Sequence, residues 1–223
     1  MSVAHHDRLR LDHTDFATVR PLLRTRLYST AAAGPEVVRR VVAPGLIQRV
    51  VVDRAGAVTP VTFDMLRSWP IGEFDLFTLA EHNVRAAGGV RIRHGDFDVP
   101  LAEGLPPMSI LSGPEYLTAH ARWLGDHPVT GPHGAVLILP SEQHIYAYPI
   151  IGPELAAAAT VLAQLARVCH AEDPHPLNPW VYWWHNGTLD LAATTTHRNG
   201  ETDLNPTEHF RTFATRLSEE PTD

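Results

Sequence analysis

Polar side chains of several chemical types come together in the segment LAEHNVRA, residues 79–86. On a helix, Glu81 and Arg85 are spaced to form an i,i+4 ion pair, and Asn83 is placed to tie down a neighbouring loop. His82 qualifies as a general base only if a carboxylate positions its ring. Two interpretations stay open: a solvated ion pair, and a polar cluster at the edge of a ligand cleft.

A second group combines His170 and His175, which lie five positions apart with acidic residues between them. Histidine and carboxylate ligands suit divalent metals. Prolines on both sides of His175 interrupt the helix, so the two imidazoles do not share a helix face. A helix end followed by a connector is the simpler interpretation. We predict no metal site and keep these two histidines as the candidates.

Aromatic residues are dense in PWVYWWHNG, residues 179–187. Strand alternation places Tyr182 and Trp184 on one face and Trp183 on the other. Tyrosine and tryptophan are frequent anchors of binding surfaces. The alternative is that both faces of this strand pack into a core.

The segment GAVLILPSEQHIYAYPI, residues 134–150, predicts a strand, a turn and a second strand at the centre of the sheet. Tyr146 and Tyr148 share a face of the second strand. We expect that face to meet the tryptophan-rich hairpin, with any site lying where both hairpins approach the LAEHNVRA helix. The predicted ligand- or partner-binding residues are Glu81, His82, Asn83, Arg85, Tyr146, Tyr148, Tyr182 and Trp184.

The composition excludes several kinds of catalysis. The chain has no lysine, so it has neither a lysine Schiff base nor a GxxxxGK[ST] phosphate loop. Its single cysteine excludes an internal disulfide and cysteine-ligated zinc or iron–sulfur sites. Ser141 lies in a hairpin turn without the GxSxG context of a hydrolase nucleophile. We expect no cofactor.

The net charge and the hydropathy pattern limit the possible classes of partner and the possible cellular compartment. The net charge of −7 disfavours nucleic acid and anionic membranes as partners. The N-terminus lacks the apolar core of a signal peptide, and no apolar run approaches the roughly 20 residues of a membrane span. All 18 basic residues are arginine, which is typical of codon bias in a GC-rich genome. We expect a soluble, cytoplasmic, bacterial protein.

Short apolar runs separated by turn signals alternate with single helices, which predicts an α+β fold. The sheet is expected to be largely antiparallel, built of β-hairpins, with helices packed on one face. Asn186 and Gly187 predict a tight hairpin turn, and Thr62 predicts the cap of a short helix. Longer helices are predicted over 73–87, 153–170 and about 206–217.

Three further segments are interpreted from local spacing. Apolar residues within 15–28 recur at helical intervals, and Pro21 limits the start of that helix to about Thr18 or later. Residues 114–124 predict another helix, and 195–205 predict a flexible joint. The domain organisation expected is a mobile tail at 1–13, a single α+β domain over 14–217 and an acidic tail at 218–223.

The order of these blocks resembles the C-terminal part of the bacterial YtpQ-like family, domain of unknown function 1444. That family has a helix with an A-x-x-N-L-R core, a strand–P-[SH]-x-[DE]–strand hairpin and a terminal Y-N-x-G-x-L hairpin. The resemblance covers about residues 45–196. It implies an α+β fold and no assigned activity. The matching residues are Ala80, Asn83, Val84, Arg85, Pro140, Ser141, Asn186, Gly187 and Leu189.

Two functional hypotheses follow. The first is a non-catalytic binding or accessory module that recognises an unknown protein partner or small molecule through the aromatic hairpin. The second is an enzyme of unassigned class, for example a metal-assisted hydrolase using histidine and acidic residues. A homodimer is compatible with either, and whether the protein is an enzyme stays open.

Overall fold

The computed structural model describes residues 15–32, 34–54, 57–96, 105, 107–198 and 201–219, which contain two antiparallel sheets. The first sheet comprises β1 (Leu23–Ser29), β2 (Arg39–Ala43), β3 (Leu46–Arg54) and β4 (Ala57–Pro60). The second comprises β5 (Arg91–Gly95), β6 (Met108–Ser112), β7 (Ala135–Ile138), β8 (Ile145–Pro149), β9 (Val181–His185), β10 (Thr188–Arg198) and β11 (Glu201–Pro206). The α-helices are α1 (Phe16–Val19), α2 (Phe63–Ser68), α3 (Glu73–Ala87), α4 (Leu155–Glu172) and α5 (Glu208–Glu219). Short 3-10 helices cover Arg20–Leu22, Thr30–Ala32 and Leu117–Asp126. The predicted α+β class is confirmed.

In the first sheet, β3 lies between β1 and β2, and β4 pairs with the second half of β3. The helix predicted within 15–28 is wrong beyond its first turns, because residues from Leu23 onward form β1. Leu23 and Leu27 also fit a period of two, with Thr25 buried between them. Pairing of Thr25 with Val50 in β3 satisfies the backbone that a helix would have satisfied internally.

Helix α3 covers the first sheet through an apolar stripe. Leu76, Phe77 and Ala80 are buried in one cluster with Leu23 of β1 and with Val50 and Val52 of β3. The predicted cap of α2 is confirmed, because the Thr62 side chain accepts a hydrogen bond from the backbone N–H of Met65 at 3.2 Å. The helix predicted over 73–87 is confirmed at both ends.

The strands of the second sheet follow the order β11-β10-β9-β7-β8-β6-β5. The hairpin of 134–150 therefore lies at the centre of this sheet, as predicted. One face packs against α4 and α5. The other face packs against the 3-10 helix Leu117–Asp126 and against Leu27, Ala43 and Leu46 of the first sheet. Two sheets thus share one apolar layer, where the sequence predicted a single sheet.

The helix predicted over 114–124 is wrong in type, because residues Leu117–Asp126 form a 3-10 helix with a kink. Trp123 leaves the helical region at φ −126° and ψ 45°. Thr118 is fully buried, and its hydroxyl accepts a hydrogen bond from the Leu27 backbone N–H at 3.0 Å. This segment thus forms a hydrogen bond to the edge strand β1 and does not form a regular α-helix.

The flexible joint predicted over 195–205 is also wrong. Strand β10 continues to Arg198 and pairs with β11, with Thr194 opposite Asn205. Asn205 Nδ2 donates to Thr196 Oγ1 at 3.3 Å, so polar threonine-rich sequence forms a strand through cross-strand bonds.

The tail predicted at 1–13 lies outside the described residues. Of the tail predicted at 218–223, the first two residues belong to α5 and the rest lie outside the described residues. The single domain over 14–217 stays a prediction. Among the described residues, no helix has the length and apolar character needed to cross a membrane.

Candidate functional site

Glu81 has the densest polar contacts of the predicted site residues. Its Oε1 accepts hydrogen bonds from Arg40 Nη2 at 2.6 Å and from Gln48 Nε2 at 2.9 Å. Arg122 Nε lies 3.8 Å from the same oxygen. Burial lowers the pKa of Arg40; the charge of Glu81 opposes this shift and that of Arg122 adds to it. Because Gln48 is fully buried, Glu81 satisfies a side chain that has no access to water.

Arg85 does not form the predicted i,i+4 ion pair with Glu81. Its guanidinium lies over the ring of Trp123, 4.6 Å from the centroid, and its Nη1 lies 3.6 Å from Asp126 Oδ2. These contacts replace the predicted i,i+4 pair, because Arg40 supplies the cation that Glu81 needs. Arg85 therefore links α3 to the 3-10 helix Leu117–Asp126.

Asn83 and His82 have separate surroundings on the same helix. Asn83 Nδ2 donates to the carbonyl oxygens of Arg20 and Leu23, both at 3.0 Å. The predicted role of Asn83 in holding a neighbouring segment is therefore confirmed. His82 is exposed.

The aromatic site residues are divided between the two faces of the second sheet. Tyr146 and Tyr148 pack beneath α4 and α5, whereas Tyr182 and Trp184 pack toward the first sheet. Tyr148 and Trp183 lie opposite the same residue of β7, so the tyrosine face meets the tryptophan-rich hairpin, as predicted, and does so at Trp183. Tyr148 is 2% exposed and Tyr182 is 0% exposed. The aromatic surface predicted from the sequence is thus largely interior.

Trp184 is the aromatic site residue that approaches the Glu81 contacts. Its Nε1–H donates to the carbonyl oxygen of Arg122 at 3.3 Å, and the side chain of Arg122 reaches toward Glu81. Arg122 therefore connects Trp184 of the second sheet to the polar group around Glu81 on α3. Glu81 has a structural role, since it accepts hydrogen bonds from Arg40 and Gln48, whereas Arg122 Nε is buried without a hydrogen-bond partner among the described residues.

Among the residues that the structure describes, the candidate metal ligands are not part of a larger ligand set. His170 lies on α4, and burial lowers its pKa. His175 is exposed beyond the helix end, and its backbone N–H donates to Asp173 Oδ1 at 2.8 Å. Within the described ranges, no group of three or more His, Cys, Asp or Glu side chains is arranged to hold a metal ion. The metal-assisted hypothesis therefore gains no support from these residues.

A groove of about 490 Å³ lies between the second sheet and the loop that follows the 3-10 helix Leu117–Asp126. Ser109 of β6 pairs with Ala147 of β8, and alternation places Pro107 and Pro149 on the same face, where they form the floor. Residues 128–132 form the wall. We call this feature the proline groove; its lining residues are His94, Pro107, Ser109, Pro128, Val129, Thr130, Gly131, Pro132, Pro149 and Ile151.

Polar side chains meet at the floor of the proline groove. Ser109 Oγ lies 3.2 Å from His94 Nδ1, and the two residues are paired across β5 and β6. Ser109 is 2% exposed, whereas His94 is exposed, so the pair leads from the buried floor to solvent. Thr130 adds a second hydroxyl from the wall. The remaining lining is apolar apart from its backbone groups.

Backbone contacts hold the wall against β8. The N–H of Gly131 donates to Gly134 O at 2.8 Å, and the N–H of Gly134 donates back to Gly131 O at 3.0 Å. His133 N–H donates to the carbonyl oxygen of Ile150 at 3.4 Å. A Cβ at Gly131 would lie 2.3 Å from that carbonyl oxygen, so the close approach requires glycine. Backbone hydrogen bonds therefore position the wall, and the side chains that line the groove are not used for this purpose.

A pair of histidines, with His120 buried and His127 half-buried, precedes the wall. His120 Nδ1 accepts a hydrogen bond from Trp123 Nε1 at 3.1 Å and lies 3.0 Å from His127 Nε2. Because an indole N–H only donates, the neutral ring of His120 carries its proton on Nε2. Burial, followed by the charges of His127 and Arg85, lowers the pKa of His120 to about 4. His120 is therefore neutral at pH 7 and helps to anchor the start of the loop.

Sequence reasoning missed the proline groove. Two of the lining prolines, Pro128 and Pro132, are visible in the loop 125–134 of the sequence. The other two, Pro107 and Pro149, are distant in the chain, and only the strand pairing brings them together. No family model, no curated protein and no solved structure matches this chain. The geometry of the described residues is therefore what indicates a function.

Proposed function

We propose that this protein is a non-catalytic binding module and that the proline groove takes a small, neutral, mostly apolar ligand. The observation that carries the proposal is the groove of about 490 Å³ with the Ser109–His94 pair on its floor. Small-molecule sites commonly have volumes of about 300–1,000 Å³, apolar walls and a few placed polar groups. A cytoplasmic location in a bacterium belongs to the same proposal.

The lining supports a neutral ligand. The described lining residues include no aspartate, glutamate, arginine or lysine, so a charged ligand would lose water without gaining a partner ion. His94, Ser109 and Thr130 supply hydrogen bonds for one polar end of the ligand. An alcohol, a phenol or an amide with an apolar body has this character.

Rigidity also supports binding. Prolines at four lining positions restrict the backbone of both floor and wall. Less conformational entropy is then lost when a ligand enters, because the walls are already ordered. This site replaces the aromatic surface of the sequence-based hypothesis, since Tyr148 and Tyr182 are buried.

Methyl-detected NMR tests the proposal with benzyl alcohol as the probe. Titration should shift the methyl signals of Val129 and Ile151 in a saturable way. The variant Ile151→Trp should abolish these shifts by filling the groove. Ile151 is 54% exposed, so the variant should keep the fold.

Val58→Trp is the matched control, since Val58 is 40% exposed on β4 of the first sheet. It should bind like the wild type. Non-saturable shifts, or equal shifts in the Ile151→Trp variant, would contradict the proposal.

The Ser109–His94 distance favours one second candidate, hydrolysis through a serine nucleophile in the same groove. A separation of 3.2 Å is within reach for proton transfer from Ser109 Oγ to the imidazole. Phenylmethylsulfonyl fluoride, a small neutral reagent, distinguishes the candidates by mass spectrometry. Modification of Ser109 that is lost in His94→Gln would support an enzyme. An unmodified Ser109 in protein that binds benzyl alcohol would support the binding module.

A further inference from the structure

Three arginines form a row across the first sheet. Arg49 of β3 lies directly opposite Arg26 of β1 on one side and Arg39 of β2 on the other. Residues directly opposite each other share a face of the sheet, and neighbouring strands lie about 4.8 Å apart. We call Arg26, Arg39 and Arg49 the arginine row.

The charge of the arginine row is only partly compensated. Arg26 Nη1 lies 2.9 Å from Glu142 Oε2. Within the described ranges, neither Arg39 nor Arg49 forms an ion pair; Arg39 Nη1 donates to Gly34 O at 2.5 Å, and Arg49 Nη1 donates to Ala32 O at 3.2 Å. Carbonyl oxygens accept hydrogen bonds without neutralising a cation. Within the part of the chain that the structure describes, these three guanidinium groups therefore form one ion pair.

An aromatic ring holds two of these cations together. The Cζ atoms of Arg26 and Arg49 lie 4.9 and 4.5 Å from the ring centroid of Tyr28. The hydroxyl of Tyr28 accepts a hydrogen bond from Arg26 Nε at 2.8 Å. Arg49 Nε is buried and has no hydrogen-bond partner among the described residues. Like charges directly opposite each other destabilise a sheet, so a further negative charge beside Arg39 and Arg49 would stabilise this arrangement.

We propose that the arginine row binds a small, multiply charged oxyanion of the phosphate class. Arg49 holds its centre and the guanidinium groups of Arg26 and Arg39 hold its two sides. A tetrahedral phosphate presents oxygens in several directions, so adjacent guanidinium groups can share it, each through paired N–H donors.

Two observations favour a small ligand over a macromolecular polyanion. The arginines are half-buried, with 17% of the Arg26 side chain exposed, so only a compact group reaches all three. The net charge of −7 repels an extended polyanion, whereas a small anion meets mainly the local field. The arginine row shares no residue with the proline groove, and the inference does not depend on that site.

Isothermal titration with pyrophosphate, at ionic strength matched with sodium chloride, tests the proposal on the full chain. The wild type should bind one pyrophosphate saturably. Arg49→Gln should weaken binding by about 10-fold to 100-fold, the range expected for losing charged hydrogen bonds. Arg67→Gln is the charge-matched control, because Arg67 pairs with Asp64 on the exposed surface of α2, and it should bind like the wild type.

If Arg49→Gln does not fold, NMR of the arginine Nε–H groups in the wild type provides a second test of the proposal. Pyrophosphate should shift the signals of Arg26, Arg39 and Arg49 and leave those of Arg67 and Arg211 in place. The proposal is overturned by non-saturable titration, by equal weakening in Arg67→Gln, or by shifts spread over all the arginines. Unchanged affinity in Arg49→Gln would overturn it as well.

Discussion

The hydroxyl of Tyr182 donates a hydrogen bond to the carbonyl oxygen of Pro44 across 3.1 Å. Tyr182 belongs to β9 of the second sheet, and Pro44 lies in the turn between β2 and β3 of the first. Asn178 Nδ2 donates to the same hydroxyl at 2.7 Å. This buried chain of bonds connects the two sheets with defined geometry, which apolar contact alone does not supply.

Removal of the Tyr182 hydroxyl should therefore destabilise the protein. Tyr182→Phe leaves the Pro44 carbonyl and the Asn178 amide without that partner, at a cost of about 1–3 kcal/mol in the free energy of unfolding. Urea denaturation measures this loss.

Tyr148→Phe is the matched control. The Tyr148 hydroxyl is equally buried but has no hydrogen-bond partner among the described residues, so its removal should be neutral or stabilising. Equal losses in the two variants would contradict the role of the Tyr182 hydroxyl.

Glu81 should contribute more to stability than an exposed acidic residue on the same interface. Glu81→Ala leaves Arg40 and Gln48 without their shared acceptor and should cost about 1–3 kcal/mol. Asp126→Ala removes the exposed pair with Arg85, which also joins α3 to the 3-10 helix, and should cost less than about 1 kcal/mol. Thermal and urea unfolding of both variants provide the comparison. A larger loss in the free energy of unfolding for Asp126→Ala would contradict this prediction.

Acid should destabilise the protein through His120. Its folded-state pKa of about 4 lies below the ordinary value of 6.5, so the unfolded chain binds the proton more readily. Stability is therefore complete above pH 6.5 and falls as the pH drops toward 4, by about 3 kcal/mol in total.

Urea denaturation at a series of pH values tests this effect. His120→Gln should reduce the slope of the unfolding free energy between pH 4 and pH 6.5. His82→Gln, at an exposed position of α3, should keep the wild-type slope. An unchanged slope in His120→Gln would show that other groups dominate the acid response.

Local signals predicted local structure well. Asn186 and Gly187 adopt φ values of 48° and 78°, which the predicted hairpin turn requires. The apolar stripe of α3 predicted its full extent, because Gly88 stops it at a positive φ. Strand alternation correctly separated Trp183 from Tyr182.

The sequence pattern did not predict the features that depend on strand pairing and register. Residues 23–29 satisfy both helical and strand spacing, and only the pairing with β3 decides between them. The face shared by Tyr148 and Trp183 depends on the registers of β7, and a shift of one residue would reverse it. The groove and the arginine row arise in the same way, since each unites residues that are distant in the chain.

The apolar layer between the two sheets also has a consequence for biosynthesis. The first sheet is complete once β4 ends at Pro60, yet Leu27 and Leu46 pack in a cluster that extends to Leu191. If the first sheet forms as the chain leaves the ribosome, one apolar side of it stays uncovered until the second sheet is translated. Because contacts between residues distant in the chain close this layer, we expect slow folding, and the open side of the first sheet is where aggregation would begin.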